Sequence, residues 1–202
     1  MRIGAVLLTG MLCAWIYADR LIEIPTGRIV YPERVRLEAG IFADKPEEER
    51  IWLNWRVIDT LELQLSRSAT EGRRIETAGI AYNLYPEIPG YTPGISVGIG
   101  DLWNRTETGR YGYLALSYGL PALGKTPLDR DLRIHLGYRT GREEGLFVGF
   151  DVPLTNQISI LAEHTGNNIN GAIVWHPRPS LELRASLVRD RTVWSILISV
   201  GE

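Results

Sequence analysis

The sequence predicts an all-β chain, an antiparallel up-and-down transmembrane β-barrel of about 12 strands. Three observations lead there. Apolar and polar residues alternate with period two from about residue 34 to the end, the signature of strands with one apolar face. The first residues have the organisation of an export signal. The composition combines 21 Gly, 6 Trp and 9 Tyr with only 3 Phe and 2 Met, a mixture of residues that let strands bend and aromatics that favour an interface.

The export signal comes first. Arg2 precedes an uncharged run from Ile3 to Ile16, then Tyr17, Ala18 and the charged Asp19-Arg20. A membrane-spanning helix needs about 20 apolar residues, so this shorter run reads as a cleaved signal peptide over residues 1–18, with cleavage after Ala14 as the fallback. Cys13 lies inside it, and the bulky Leu12 before it argues against lipidation. The mature chain then lacks cysteine, and with it disulfides and thiolate metal sites. Residues 19–33 are expected to form an N-terminal periplasmic segment and residues 34–202 the barrel.

The strands follow in order. Val35, Leu37, Ala39 and Ile41 share one face, with Arg36, Glu38 and Gly40 on the other. Ile51, Leu53, Trp55 and Val57 oppose Arg50, Trp52, Asn54 and Arg56, and Leu61, Leu63 and Leu65 oppose Glu62, Gln64 and Ser66. Weaker strands are expected near 74–84, 94–101 and 110–119. The clearest alternation is Leu132, Ile134, Leu136 and Tyr138 against Arg133, His135, Gly137 and Arg139. Leu146, Val148, Phe150 and Val152 then oppose Phe147, Gly149 and Asp151; two weaker strands occupy 158–165 and 169–176. Leu181, Leu183, Ala185 and Leu187 oppose Glu182, Arg184 and Ser186, and Trp194, Ile196, Ile198 and Val200 oppose Ser195, Leu197 and Ser199. Polar stretches such as ADKPEEER, SATEGRR, TGREEG and HPRPS supply the turns.

A soluble sandwich also alternates, but its outward face should be dominated by charge. Here the polar face mixes Arg and Glu with Gly, Ser, Ala and Asn, as a narrow, crowded lumen requires. Bulky aromatics near strand ends, Trp52, Trp55, Tyr82, Trp103, Tyr113, Tyr138, Trp175 and Trp194, are expected to form the girdles found at headgroup level.

The stretches IPTGRIVYPERVRLEAGI (24–41), PGISVGIGDLW (93–103) and GLFVGFDVPLTNQISILAEHTG (145–166), with the hairpin after the last, resemble the exopolysaccharide-associated outer-membrane barrels of the YjbH type. The chain would be a short member. The resemblance implies an envelope barrel linked to polysaccharide production or export and carries no catalytic residues.

The chemistry-bearing residues are sparse. His135, His164 and His176 are dispersed, with no metal-ligand spacing and no nucleophile motif beside them, so neither catalytic residues, a metal nor a cofactor is expected. GISVGIG lacks the helix and Lys-Ser/Thr pair of a phosphate loop. A net charge of −2 argues against nucleic acid. The expected lumen lining is Arg36, Glu38, Arg50, Arg56, Glu62, Arg133, His135, Arg139, Asp151, Glu163, Glu182 and Arg184. Its mixed signs favour pairing across the lumen over an open polar conduit. The longest connections, YPEIPGYTPG and LPALGKTPLDRD, fall by parity on the periplasmic side, which leaves short outer loops and little room for a plug or receptor surface.

The functional expectation is a structural or assembly role in the Gram-negative outer membrane, linked to exopolysaccharide through the resemblance. The alternatives are a narrow porin-like diffusion channel and a rim enzyme acting on lipid or glycan. Expected partners are outer-membrane lipid, the barrel-assembly machinery and polysaccharide-export proteins.

Overall fold

Twelve strands run in antiparallel succession, each pairing with its neighbours in the sequence, and the first closes on the last. The computed structural model describes residues 20–28, 35–70, 72–120 and 130–201. The strands are β1 (Val35–Phe42), β2 (Glu49–Ile58), β3 (Leu61–Thr70), β4 (Arg73–Tyr85), β5 (Gly94–Gly100), β6 (Tyr111–Leu120), β7 (Leu132–Arg139), β8 (Gly145–Pro153), β9 (Ile158–His164), β10 (Ile169–Arg178), β11 (Leu181–Val188) and β12 (Arg191–Val200). β1 closes on β12 in an unbroken register from Val35↔Val200 to Phe42↔Val193. The ladder therefore has no free edge.

The period-two pattern sorts each strand between two environments. In β9 the burial alternates without exception, with Ser159, Leu161 and Glu163 inside and Ile158, Ile160, Ala162 and His164 outside. The apolar set faces outward on most strands: Leu37, Ile41, Leu114, Leu136, Ile160, Ile173, Leu183, Ile196 and Ile198 are all exposed. The polar set faces inward: Glu38, Asn54, Glu62, Gln64, Ser96, Ser117, His135, Asn170 and Arg184 are buried. Register irregularities fall between Arg56 and Ile58, between Asn83 and Tyr85, and between Trp175 and Arg178, all at the end where β1 begins and β12 finishes. That end is the terminal end below, and the opposite end is the distal end.

Inward glycines make room for inward aromatics. Gly98 faces Tyr113 across the β5–β6 ladder, Gly100 faces Tyr111, and Gly137 faces Phe147 across β7–β8. A Cβ on these glycines would lie 2.4, 2.2 and 2.1 Å from the partner ring. The rings occupy the space that a side chain on these glycines would need.

Two aromatic expectations need correction. Trp52 and Tyr113 belong to no outer girdle: Trp52 sits inside, stacked between the guanidinium groups of Arg20 and Arg50 at 3.7 and 4.3 Å, and Tyr113 is 7% exposed over Gly98. In both cases strand parity outweighs the preference of aromatics for an interface. The other six are exposed, in two tiers: Trp55, Tyr82 and Trp175 towards the terminal end, Trp103, Tyr138 and Trp194 towards the distal end.

Part of the stretch expected to form an N-terminal periplasmic segment lies inside the barrel. Residues 20–28 run through the lumen, with Leu21, Ile22, Ile24, Pro25, Thr26 and Gly27 buried. The proposed signal peptide, Cys13 within it and residues 29–33 lie outside the described residues.

Candidate functional site

The lumen and the segment that fills it are the place where this chain concentrates buried polar groups. The segment passes the terminal end at Arg28, whose Nε lies 2.9 Å from Glu87 in the β4–β5 connection. At Thr26 and Gly27 it presses on the wall. A Cβ on Gly27 would lie 2.3 Å from the Gly94 carbonyl oxygen and 2.4 Å from the Ser117 nitrogen, so only glycine fits. Beyond Pro25 the chain reverses: the amide of Leu21 donates to the Ile24 carbonyl at 3.0 Å, and Arg20 bridges back to Pro25.

Wall side chains satisfy the segment's backbone one group at a time, as buried peptide groups demand. Ser96 Oγ donates to the Thr26 carbonyl at 2.6 Å, and Asn83 Nδ2 donates to the Gly27 carbonyl at 3.0 Å. The Gly27 amide donates to Ser117 Oγ at 2.8 Å, and Arg184 Nη1 donates to the Leu21 carbonyl at 3.0 Å. Glu163 does most. Its carboxyl group accepts from the amides of Ile22, Glu23 and Ile24 at 2.9, 2.9 and 3.3 Å, and Asn170 Nδ2 donates to it at 2.7 Å. Leu21 and Ile24 lie against Gly149, where a Cβ would come within 2.5 and 2.7 Å of them.

Of the residues expected to line the lumen, Glu38, Arg56, Glu62, His135, Glu163 and Arg184 are buried, Arg36, Arg50, Arg133, Arg139, Asp151 and Glu182 are half-buried, and most pair. Arg36 pairs with Glu182, and Glu182 also holds Arg184 at 3.4 Å. Glu38 holds Arg20 at 2.6 Å, Arg50 holds Glu23 at 3.1 Å, and Arg139 holds Glu143 at 3.1 Å. Arg133 approaches Glu87 at 3.5 Å and Asp151 approaches Arg130 at 3.8 Å. Arg56 and Glu62 are register partners, both buried. Glu23 shows the electrostatic balance: burial pushes its carboxyl group up, but Arg50, Arg189 and Arg20 outweigh this and hold it below the usual carboxylate range.

The histidines divide. His135 and Ser117 share a hydrogen bond of 2.6 Å, a pairing invisible in a sequence that separates them by 18 positions. Ser117 is fully buried, with the Gly27 amide on its hydroxyl, so the pair serves as an anchor for the segment. His176 lies at the end of β10, 3.9 Å from Glu182, and His164 is exposed at the end of β9.

Among the described residues, cavities adjoin the segment towards both ends of the barrel. The terminal one, about 80 Å³, is lined by Arg28, Arg36, Arg130, Arg133, His176 and Glu182 among others. The distal one, about 140 Å³, is lined by Glu23, Arg50, Thr108, Tyr111, Arg139 and Arg189 among others. Arg20 lines both and stands between them.

Glu163, Asp151 and the arginines were legible as inward charges, whereas Ser96, Ser117, Asn83 and Gly27 were missed. The signal available for them was the number of small or short polar residues on inward faces, more than side chains alone can fill. No protein-family model and no curated protein matches the chain.

Proposed function

We propose that this protein is an outer-membrane barrel closed by its own N-terminal segment, with a structural or assembly role in the envelope. One observation carries the reading: the barrel is apolar outside and polar inside. Large side chains such as Leu136, Ile169, Ile173 and Trp194 are 52%, 77%, 60% and 55% exposed on the outer wall. In water each such side chain forgoes half or more of the roughly 1.5–3 kcal/mol that full burial supplies, a cost that hydrocarbon removes. Strands of 7–13 residues rise about 3.4 Å per residue and, tilted at about 45°, span about 17–31 Å, which brackets an apolar band about 25 Å tall. Two tiers of aromatics frame that band.

Seating residues 20–28 in the lumen supports a role other than open diffusion. The resemblance to exopolysaccharide-associated barrels supplies the envelope process, with polysaccharide-export proteins and the barrel-assembly machinery as partners. Membrane fractionation of the native host with heat-modifiable gel migration tests location and fold together. Recovery in a detergent-free periplasmic extract would refute the reading. Deletion that leaves surface polysaccharide unchanged would remove the link to that process.

A second reading, a narrow diffusion channel, draws on the two cavities that share Arg20. Planar-bilayer recordings separate the readings: the plugged barrel predicts no steady conductance, and the channel predicts stable steps.

A further inference from the structure

We propose that the cavity at the distal end is a binding site for one residue of a neutral saccharide. The lumen segment meets this cavity with the closed tip of its turn: Arg20 pairs antiparallel with Pro25, and Glu23, between them, lines the cavity. The wall adds Arg50 from β2 and Arg139 from β7, and the distal connections add Thr108, Glu143 and Arg189. Those connections, 101–110, 140–144 and 189–190, are all among the described residues.

The charges here are already paired. Arg50 Nη2 lies 3.1 Å from Glu23 Oε1, Arg189 Nε lies 3.7 Å from Glu23 Oε2, and Arg139 Nη2 lies 3.1 Å from Glu143 Oε2. An ion of either sign therefore meets a like charge beside each opposite one. A hydroxyl group escapes that conflict, because it can donate to a carboxylate oxygen while accepting from the guanidinium next to it. Thr108 extends the pattern. Thr106 Oγ1 donates to Asp101 at 2.6 Å, so in its 3.1 Å contact with Thr108 Oγ1 it accepts and Thr108 donates, which leaves the Thr108 oxygen to accept.

The backbone is bent to complete this wall. Arg189 and Asp190 have φ of +50° and +64°, left-handed at both central positions of the β11–β12 turn, where asparagine and glycine are the easy residues. The Arg189 amide donates to Asn170 Oδ1 at 3.2 Å, and the turn carries the guanidinium over the cavity. Strain of this kind collects at ligand sites. The volume, about 140 Å³, holds about ten water-sized groups, the size of one hexose with its hydroxyls. Trp52 and Tyr111 supply apolar surface for the CH groups of the ring. That this cavity faces the cell exterior rests on the membrane reading, whereas binding rests on the seating of Glu23, so fractionation and titration fail separately.

The test uses the folded full-length barrel in a detergent without a sugar headgroup. Maltohexaose, cellohexaose and chitohexaose are titrated by calorimetry, with inorganic phosphate and L-glutamine as ionic probes. At least one oligosaccharide is expected to bind, and to bind about tenfold or more weakly in Glu143→Ala and in Arg139→Ala, since a hydrogen bond to a charged group accounts for at least that factor. Glu143→Gln, which keeps an acceptor oxygen, retains part of the affinity, and Arg130→Ala, at the terminal cavity, leaves it unchanged. Arg189→Gly relieves the left-handed strain, so it should melt no lower than wild type and yet bind more weakly, an outcome that a merely structural role for Arg189 does not produce. Heat-modifiable migration verifies that each variant is folded. The proposal is overturned by absence of binding with all three oligosaccharides, by equal affinity in wild type, Glu143→Ala and Arg189→Gly, or by tighter binding of phosphate or glutamine than of every oligosaccharide.

Discussion

Replacing Glu163 with alanine should release the lumen segment while leaving the barrel closed. The side chain accepts from three consecutive backbone amides, at 2.9, 2.9 and 3.3 Å, inside a lumen where it is 3% exposed. Each buried donor left without an acceptor costs about 1–3 kcal/mol, so the seated state loses about 3 kcal/mol even at the low end. Each 1.4 kcal/mol is about a factor of ten, so the unseated fraction rises about a hundredfold. The readout is cleavage after Arg20, a trypsin site whose following residue, Leu21, is buried while the segment is seated, followed by mass spectrometry and bilayer conductance. Wild type should resist cleavage and stay closed, Glu163→Ala should be cut and show openings, and Glu163→Gln, which keeps one acceptor oxygen, should fall between. A Glu163→Ala barrel that retains heat-modifiable migration, resists trypsin and stays silent in the bilayer would refute the assignment of Glu163 as the anchor.

Further outcomes follow from neighbouring contacts. Gly27→Ala forces a Cβ to 2.3 Å from the Gly94 carbonyl oxygen, so trypsin should cut the segment as in Glu163→Ala while barrel migration stays normal. Gly137→Val must displace the Phe147 ring and the Leu114 carbonyl at 2.1 and 2.4 Å, and urea unfolding should show a loss of at least about 1–3 kcal/mol. Ile173→Arg, on the outer wall at 60% exposure, should cost about 2–4 kcal/mol of stability in lipid vesicles; a cost within about 0.5 kcal/mol would count against a lipid-facing wall. Asp44 accepts from Arg191 at 3.1 Å, and this hydrogen bond holds its carboxyl group below the usual range. Because the folded value is depressed, the contact contributes above the ordinary Asp range and fades as pH falls through the lower folded value. NMR titration should show that low value in wild type and its return to the ordinary range in Arg191→Ala.

The wall was legible because it obeys a local rule. Strand β7 alternates Leu132, Ile134, Leu136 and Tyr138 against Arg133, His135, Gly137 and Arg139, and from His135 to Tyr138 burial follows that alternation. The same rule places Trp52 with Asn54 and Arg56 on the inward face of β2, yet as a bulky ring near a strand end it was assigned to a girdle. A single residue's preference for an interface is worth less than the register of a ten-residue strand, because a shift by one position would invert every neighbour. Tyr113 repeats the case on β6, where Gly98 across the ladder gives its ring a floor. Pairings such as Ser117 with His135 depend on register between strands, which no single strand encodes.

The lumen position of residues 20–28 is not legible in the sequence, for a different physical reason. LIEIPTGR has no strand partner and no helical period, so read locally it is a linker. Its place follows from a volume argument that spans the chain. Ala81, Ser96, Ala115, Ser117, Ser159 and Gly149 all face inward and are small, and side chains of that size cannot meet across a barrel wider than eight strands. Something else must occupy the axis, and it must bring backbone groups that inward Ser, Asn and Glu can satisfy. An apolar-and-glycine peptide beside the first strand meets both demands: Leu21, Ile22 and Ile24 fill space, while Thr26 and Gly27 let the backbone approach the wall. The short polar residues of the lumen are thus the complement of one particular peptide, and Glu163, Ser96, Ser117 and Asn83 are the positions at which that complementarity can be broken.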